Sequence, residues 1–300
     1  MNASVFPGLD RFLARPWDEK WRVISRRLKS AWCLALSRTR VPIVKRFDPG
    51  FFWIISNDVI RDGILAGTFE AAERVFVERF VQPGMTVLDI GAYHGLYTLI
   101  ASRRTGDHGR VIAFEPSLPQ MRRLKSHLKM NRCKNVCTES MALGDRTGES
   151  EFFFAKGGLA GYSSLRPPKA MASTQRISVP ITTLDAYLER NLIGCVDFIK
   201  ADVEGAELGL FRGATYLLRG TRRPVILCEL QDVRTEAWGH KASDVAEFLS
   251  NFGFKWYQPT GKGKLERLRD ITHGLDGNYV AVPDERIAEI KEITEDGRRD

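Results

Sequence analysis

The sequence predicts an α/β fold: a mostly parallel, seven-stranded sheet with helices on both faces, preceded by an N-terminal helical extension. Three observations predict it. Apolar, β-branched runs alternate with helical periodicities from Thr86 to Val282, and strands with continuous apolar character are those buried on both faces. A glycine-bearing turn, Asp89–Gly95, joins the first such run to the first helix, as in open sheets that bind a ligand at their carboxyl edge. The composition, 43% hydrophobic and 27% charged over 300 residues, supplies one sizeable core.

The extension comes first. Trp17, Trp21, Ile24, Leu28, Ala31, Trp32 and Ala35 recur at three- and four-residue steps, so Pro16–Leu36 reads as a helix with a Trp-rich stripe flanked by Arg22, Arg26, Arg27 and Lys29. The stripe either packs on the main domain or a second subunit, or lies on an anionic membrane surface through residues 16–36. Residues 1–46 hold 11 Lys/Arg against 3 Asp/Glu, the whole formal excess of +8, leaving 34 of each sign in residues 47–300. A neutral body argues against nucleic acid as partner.

A lead-in segment over 47–84 is expected to cap the active site. It contains a short strand at Phe51–Ser56, a turn and short helix at Asn57–Gly67, and a helix at Thr68–Phe80 with Thr68 as its cap. Gln82-Pro83-Gly84 breaks the chain before the core domain, expected over 85–284. There the seven strands are Thr86–Ile90, Arg110–Phe114, Val136–Leu143, Val196–Ala201, Pro224–Leu230, Phe254–Gln258 and Asn278–Val282. Helices are expected at Tyr97–Arg104, Pro119–Asn131, Leu184–Asn191, Ala206–Leu218 and Ser243–Phe252. An inserted hairpin, Glu149–Phe154 with Arg176–Pro180, is joined through the Gly/Ser-rich Gly157–Ser164, and residues 285–300 read as a polar tail.

No apolar run approaches the roughly 18 residues that span a bilayer, and the N-terminus has no basic region followed by an apolar one, so no secretory signal is read. The five scattered cysteines complete no metal site and read as core residues, with Cys195 and Cys228 inside apolar runs, in a reducing compartment. The location expected is cytoplasmic, with room for peripheral contact at the inner membrane surface.

The Asp89–Gly95 turn identifies the cofactor. A dinucleotide loop would carry G-x-G-x-x-G against a pyrophosphate; here Tyr93 and His94 fill the middle, and Asp89 places a carboxylate at the strand end. A fixed negative charge repels phosphate and suits an ammonium, which S-adenosylmethionine has. The second strand ends in Phe114-Glu115-Pro116, an acid able to accept both ribose hydroxyls, and the third at Met141–Asp145, where an adenine edge would lie.

With these motifs, the chain resembles the FkbM-type methyltransferases over roughly Phe52 to Pro259. The resemblance rests on DIGAYHGLYT (Asp89–Thr98), Phe114-Glu115-Pro116, Ala142-Leu143-Gly144-Asp145 and ITTLD (Ile181–Asp185). It continues through VDFIKADVEGAELGLFRG (Val196–Gly213) to Cys228-Glu229-Leu230, with Gly67–Glu70 in the lead-in. It implies a Rossmann-like class I methyltransferase fold and methyl transfer from S-adenosylmethionine to a hydroxyl of a glycan or small-molecule metabolite. The cofactor set expected is Asp89, Gly91, Tyr93, Gly95, Glu115, Ala142 and Asp202.

Methyl transfer to an alcohol needs an aligned acceptor and removal of its proton. Asp202 lies just past the fourth strand, where the methyl should point, and is read as orienting group or base, with Glu204, His94 and Glu70 as rivals. Glu70 and Glu229 are the substrate-binding candidates, and Lys200 is read as pairing within its motif. The acids Glu204 and Glu207 also suit a helix N-terminus. The segment Ala-Asp-Val-Glu-Gly differs from the Asn/Asp-Pro-Pro-aromatic motif of amine methylation. Asp202 and Glu229 end neighbouring strands and could share a divalent cation, but two carboxylates are a thin ligand set, so no metal is assigned. RNA or protein methylation, and a membrane-docked module without catalysis, are the competing readings.

Overall fold

A computed structural model describes residues 16–17, 43–47, 50–55, 60–155, 163–166 and 174–294. The helix expected over Pro16–Leu36 and the loop Gly157–Ser164 fall almost wholly outside them. The chain divides into two compact units, Met1–Phe69 and Glu70–Asp300, a boundary inside the lead-in expected over 47–84.

In the first unit, β1 (Ile43–Phe47) and β2 (Phe51–Ile55) form an antiparallel hairpin with Phe47 opposite Phe51. Phe51, Trp53 and Ile55 are buried and Phe52 exposed, the alternation of a one-sided strand. β1 went unread because its IVKRF alternates with basic residues and merges with the charged extension. A short helix, α1 (Arg61–Ala66), ends on Gly67.

The second unit opens with α2 (Ala71–Phe80), whose N-cap is Glu70 rather than the expected Thr68. The core strands are β3 (Thr86–Ile90), β4 (Arg110–Phe114), β5 (Val136–Glu139), β9 (Phe198–Ala201), β10 (Val225–Gln231), β11 (Phe254–Thr260), β12 (Lys264–Arg267) and β13 (Asp276–Pro283). They form one sheet in the order β12-β11-β13-β10-β9-β3-β4-β5. Five neighbours, β10 to β5, are parallel, and β13 runs antiparallel between β10 and β11. The class I methyltransferase architecture is therefore present, with an eighth strand at the edge where seven were expected. β12 was missed because LER carries no apolar run.

The chain winds outward from β3 to β5 and returns to β9 on the other side of β3, which places the topological switch point between β3 and β9. Ligand crevices of open α/β sheets form at such a point. Helices α3 (Leu96–Thr105), α4 (Leu118–Met130), α5 (Leu184–Arg190), α6 (Glu207–Arg212), α7 (Thr215–Leu218), α8 (Asp232–Thr235) and α9 (Ala242–Ser250) fill the connections. The expected single helix Ala206–Leu218 is thus two short ones. Leu88, Ile90, Ile112, Phe114, Ile199, Phe211 and Ile226 belong to one buried core, and the Phe114 and Tyr187 rings meet edge-on at 4.8 Å.

The expected strand Val136–Leu143 is also two pieces. β5 stops at Glu139, and β6 (Ala142–Leu143) joins β7 (Gly148–Ala155) and β8 (Thr174–Thr182) in a separate sheet of order β6-β8-β7. The hairpin read at 149–180 is the antiparallel pair in that sheet. Both halves of 136–143 are apolar enough for a strand, and only sheet membership separates them.

The C-terminal segment departs from the expected polar tail. A 3₁₀ turn over Asp284–Ile290 leads into α10 (Lys291–Thr294), and Arg286, Ile290 and Ile293 are buried. The Arg286 guanidinium donates to the carbonyls of Asp197 and Arg223, pairs with Glu289, and lies 5.4 Å over the Phe80 ring. A sequence pattern does not show a buried arginine, because its partners are backbone carbonyls brought by other strands. Cys133, Cys137, Cys195 and Cys228 are free thiols; Cys228 is buried, whereas Cys195 is exposed rather than inside its strand. Among the described residues, no helix is long and apolar enough to cross a membrane.

Candidate active site

Asp89 is the fourth residue of β3, and its side chain is only 2% exposed. Thr98 on α3 donates its hydroxyl to Asp89 Oδ2. Burial pushes the Asp89 carboxyl up to about 6, against the pull of Thr98 and Lys200. The turn that follows crosses the end of β4: the N–H groups of Gly91 and Ala92 donate to the Phe114 carbonyl at 3.0 and 2.9 Å. Gly91 has φ +81°, and a Cβ there would lie 1.8 Å from the carbonyl oxygen of Asp202. Both conditions require glycine.

Glu115, just past β4, belongs to the same turn. Its two oxygens accept from the N–H groups of Tyr93 and Ser117, each at 2.8 Å. Burial raises it to about 7, although those two hydrogen bonds lower it. Tyr93 takes φ +49°, so the first turn and the second strand's acid are held as one piece. Asp89 and Glu115 are thus two buried carboxylates short of positive partners at the switch point. Their neighbouring backbone comes too close for any side chain at Gly91. A cationic, hydroxyl-rich ligand fits this environment.

His94 is turned elsewhere. Its Nε2 lies 2.7 Å from Gln120 Oε1 on α4, its carbonyl meets His127 Nδ1 at 2.7 Å, and burial pushes its ring down to about 4. The ring stacks 3.8 Å from Tyr93 and joins the turn before α3 to α4. Ala142 is buried in β6, and the third acid, Asp145, is exposed beyond it rather than at the end of β5. Glu139 stands there instead, accepting from the Tyr187 hydroxyl at 2.9 Å. Asp145 lines a cavity of about 550 Å³ whose wall includes Arg166, Ala206, Arg212, Trp238 and His240.

The carboxyl ends of β9 and β10 carry a second group. Lys200, 1% exposed, sends Nζ to Asp202 Oδ2 and Asn278 Oδ1, each at 3.1 Å, and lies 5.4 Å over the Tyr97 ring. Asn278 in turn donates to Glu70 Oε1 at 3.1 Å, and the Tyr97 hydroxyl donates to Glu70 Oε2 at 2.7 Å. Glu70, in the left-handed region at φ +43°, is thereby brought from the start of α2 into the group. Burial by itself would lower Lys200, but Asp202, Glu70 and Glu229 hold it above its ordinary value.

Asp202 leaves β9 with its N–H on the Ile90 carbonyl at 2.9 Å. Glu204 follows at φ +56° and pairs with Arg234 at 3.0 Å. Glu207, at the start of α6, accepts from the N–H groups of Val203 and Gly205 at 3.0 and 3.4 Å, bracing the loop as a helix-start acid does. Glu229 stands on β10 opposite Asn278. One carboxylate oxygen each from Asp202, Glu204 and Glu229 lies within 4.8 Å of the others. Burial raises Glu204 to about 8 and Glu229 well above the carboxylate range, and Asp202 adds to both.

The structure therefore brings Glu70, Asp202, Glu204 and Glu229 together around Lys200, joins Asp89, Gly91, Tyr93 and Glu115 in one turn, and sets the His94 ring of that turn against Gln120 on α4. Tyr97, Asn278 and Arg234 were not read from the sequence. Asn278 had a signal, a lone amide entering the otherwise apolar run Tyr279–Val282. Replacing Lys200 by Met leaves the acids without their buried cation and is expected to cost about 3 kcal/mol at neutral pH. Thermal denaturation checks this: an unchanged melting temperature contradicts the central role of Lys200.

Comparison with protein families matches residues 89–256 to the methyltransferase FkbM domain. Among solved structures, a methyltransferase FkbM from Methylobacillus flagellatus is 15% identical over 74% of this chain and 54% of its own, with a TM-score of 0.41. This chain thus spans about half the length of that protein. An O-methyltransferase from Bacillus cereus, solved with SAH, is 17% identical over 71% of this chain and 80% of its own (TM-score 0.42). Fibrillarin from Aeropyrum pernix, solved with S-adenosyl-L-methionine, is 15% identical over 81% and 83% (TM-score 0.42). Comparison with curated protein sequences finds no match.

Proposed function

We propose, from the premise that this chain belongs to the FkbM methyltransferase family, that it methylates a hydroxyl of a glycan or small hydroxylated metabolite. When bound, S-adenosyl-L-methionine supplies the methyl group on a sulfonium and leaves as the thioether. In this reading Asp89 takes the donor's ammonium and Glu115 its ribose hydroxyls, while Gly91, Tyr93 and Gly95 shape the turn against it. Asp202, one residue past β9, orients the acceptor hydroxyl and accepts its proton as the oxygen–methyl bond forms. Glu204, Glu229 and Glu70 surround that point, and Lys200 holds Asp202 in place. The acceptor lies toward the cavity lined by Trp238 and Arg166, whose wall adjoins Gly205: a Cβ on Gly205 would come 2.8 Å from the Trp238 ring. The observation that carries the reading is the set of carboxylates at the ends of β9 and β10, beside the Asp89–Gly95 turn. It suits removal of a hydroxyl proton.

Label transfer from methyl-labelled donor tests it. Label is expected in an alkali-stable ether on a saccharide or hydroxylated metabolite. Label found only in RNA or protein would overturn the acceptor class, and an RNA acceptor would also bind with steep salt dependence.

Cofactor affinity carries a pH signature. Asp89 and Glu115, at about 6 and about 7 in the free protein, must be ionised to receive an ammonium and hydroxyl donors. Both are raised, so the ionised forms are lost as pH falls through 7 and then 6. Calorimetry at pH 8 and pH 5.5 is expected to show affinity lower by tenfold or more, on the order of one decade per pH unit below each value. Equal affinity at both would contradict the assignment.

A further inference from the structure

We propose that Asp202, Glu204 and Glu229 form a binding site for one divalent, oxygen-preferring cation of the Mg²⁺, Mn²⁺ or Ca²⁺ class. Asp202 and Glu204 come from the loop that follows β9, where Glu204 takes φ +56°, and Glu229 comes from β10. Their oxygens lie within 4.8 Å of one another. Oxygens bound at about 2.0–2.6 Å to one ion lie no more than roughly 5.2 Å apart, so a single ion reaches all three. The donor set contains no thiolate or imidazole, which selects a hard ion over zinc.

Charge and hydrogen bonding supply an independent observation. Lys200 pairs with Asp202, and Arg234 pairs with Glu204. Glu229 has neither: its Oε2 is closed off from solvent and has no hydrogen-bond partner among the described residues. Glu70 and Glu207 add negative charge to the same group, so among the described residues Lys200 and Arg234 are set against five acids. A buried oxygen without a partner is costly unless something polar meets it.

The inference rests on the O-methylation reading in one respect. A bound cation would offer an open position to the acceptor hydroxyl and lower its pKa, its proton passing to solvent water as the oxygen–methyl bond forms. Asp202 then positions the acceptor through the cation instead of touching it directly.

Titration of Mn²⁺ into the full chain, followed by the electron paramagnetic resonance signal of free Mn²⁺, tests the site without substrate. One Mn²⁺ per chain is expected, with a Kd on the order of 10⁻⁵–10⁻³ M. Glu229→Gln is expected to weaken it at least tenfold. Glu151→Gln, in an exposed pair with Arg176, leaves it unchanged. Should Glu229→Gln fail to melt cooperatively, Glu204→Gln gives the same readout. No uptake at about 1 mM Mn²⁺, or equal uptake by wild type and a folded variant, overturns the proposal. Transfer to a hydroxyl that persists undiminished in excess chelator overturns the cation and leaves the O-methylation reading standing. Mn²⁺ binding without transfer to any hydroxyl acceptor does the reverse.

Discussion

Gly91→Ala is expected to abolish methyl transfer and to weaken cofactor binding more than a hundredfold while the protein stays folded. Two costs combine. An L-residue at φ +81° pays about 1–2 kcal/mol for the left-handed conformation. The larger cost is steric: the new Cβ would sit 1.8 Å from the Asp202 carbonyl oxygen and 2.8 Å from its carbon. Those are backbone atoms at the end of a central strand, so no rotamer change relieves the contact. The turn must move away from β9, separating Asp89 and Tyr93 from Glu115 and displacing Asp202. Gly239→Ala separates the two costs. It lies in the left-handed region at φ +77°, ψ +22°, with open space around it, so it pays the conformational cost alone and is expected to bind cofactor normally. Calorimetric titration with S-adenosylhomocysteine decides it, and wild-type affinity in Gly91→Ala would mean that the turn is not the cofactor cradle.

Asp202→Asn is expected to lower kcat 10²–10⁴-fold, the usual contribution of a positioned acid–base group, with cofactor affinity nearly unchanged. The amide keeps the shape and still accepts from Lys200, so the effect isolates charge and proton affinity. Full turnover in Asp202→Asn would remove it from the chemistry. Loss of turnover on Glu204→Gln with Asp202→Asn unaffected would transfer the role to Glu204. A raised Kd for the cofactor, with kcat held, would make Asp202 a cofactor contact. Direct proton acceptance and action through a cation both predict the fall in kcat, and dependence on added Mn²⁺ tells them apart.

How much of this was legible follows from the range of each interaction. The parallel core strands, the Asp89–Gly95 turn and Glu115 are local patterns: an apolar run, a turn glycine and an acid at the end of a strand. The structure keeps β4 at its expected bounds, Arg110–Phe114. Elements whose identity depends on a partner were misread. β12 exists because β11 offers an edge, 136–143 splits because β8 captures its second half, and residues 284–294 are ordered because Arg286 finds carbonyls on Asp197 and Arg223.

The Asp89–Gly95 turn and the acids at the strand ends were enough for the sequence by itself to read an α/β sheet of the FkbM methyltransferase family. Short-range backbone preference and fixed charge carry that information along the chain. Only the tertiary structure decided how the acids are shared. It gathered Glu70, Asp202, Glu204 and Glu229 from three stretches of chain around Lys200, and it turned His94 away toward Gln120. The reason is that a carboxylate's role depends on what desolvates and neutralises it, and those neighbours are set by strand order and register.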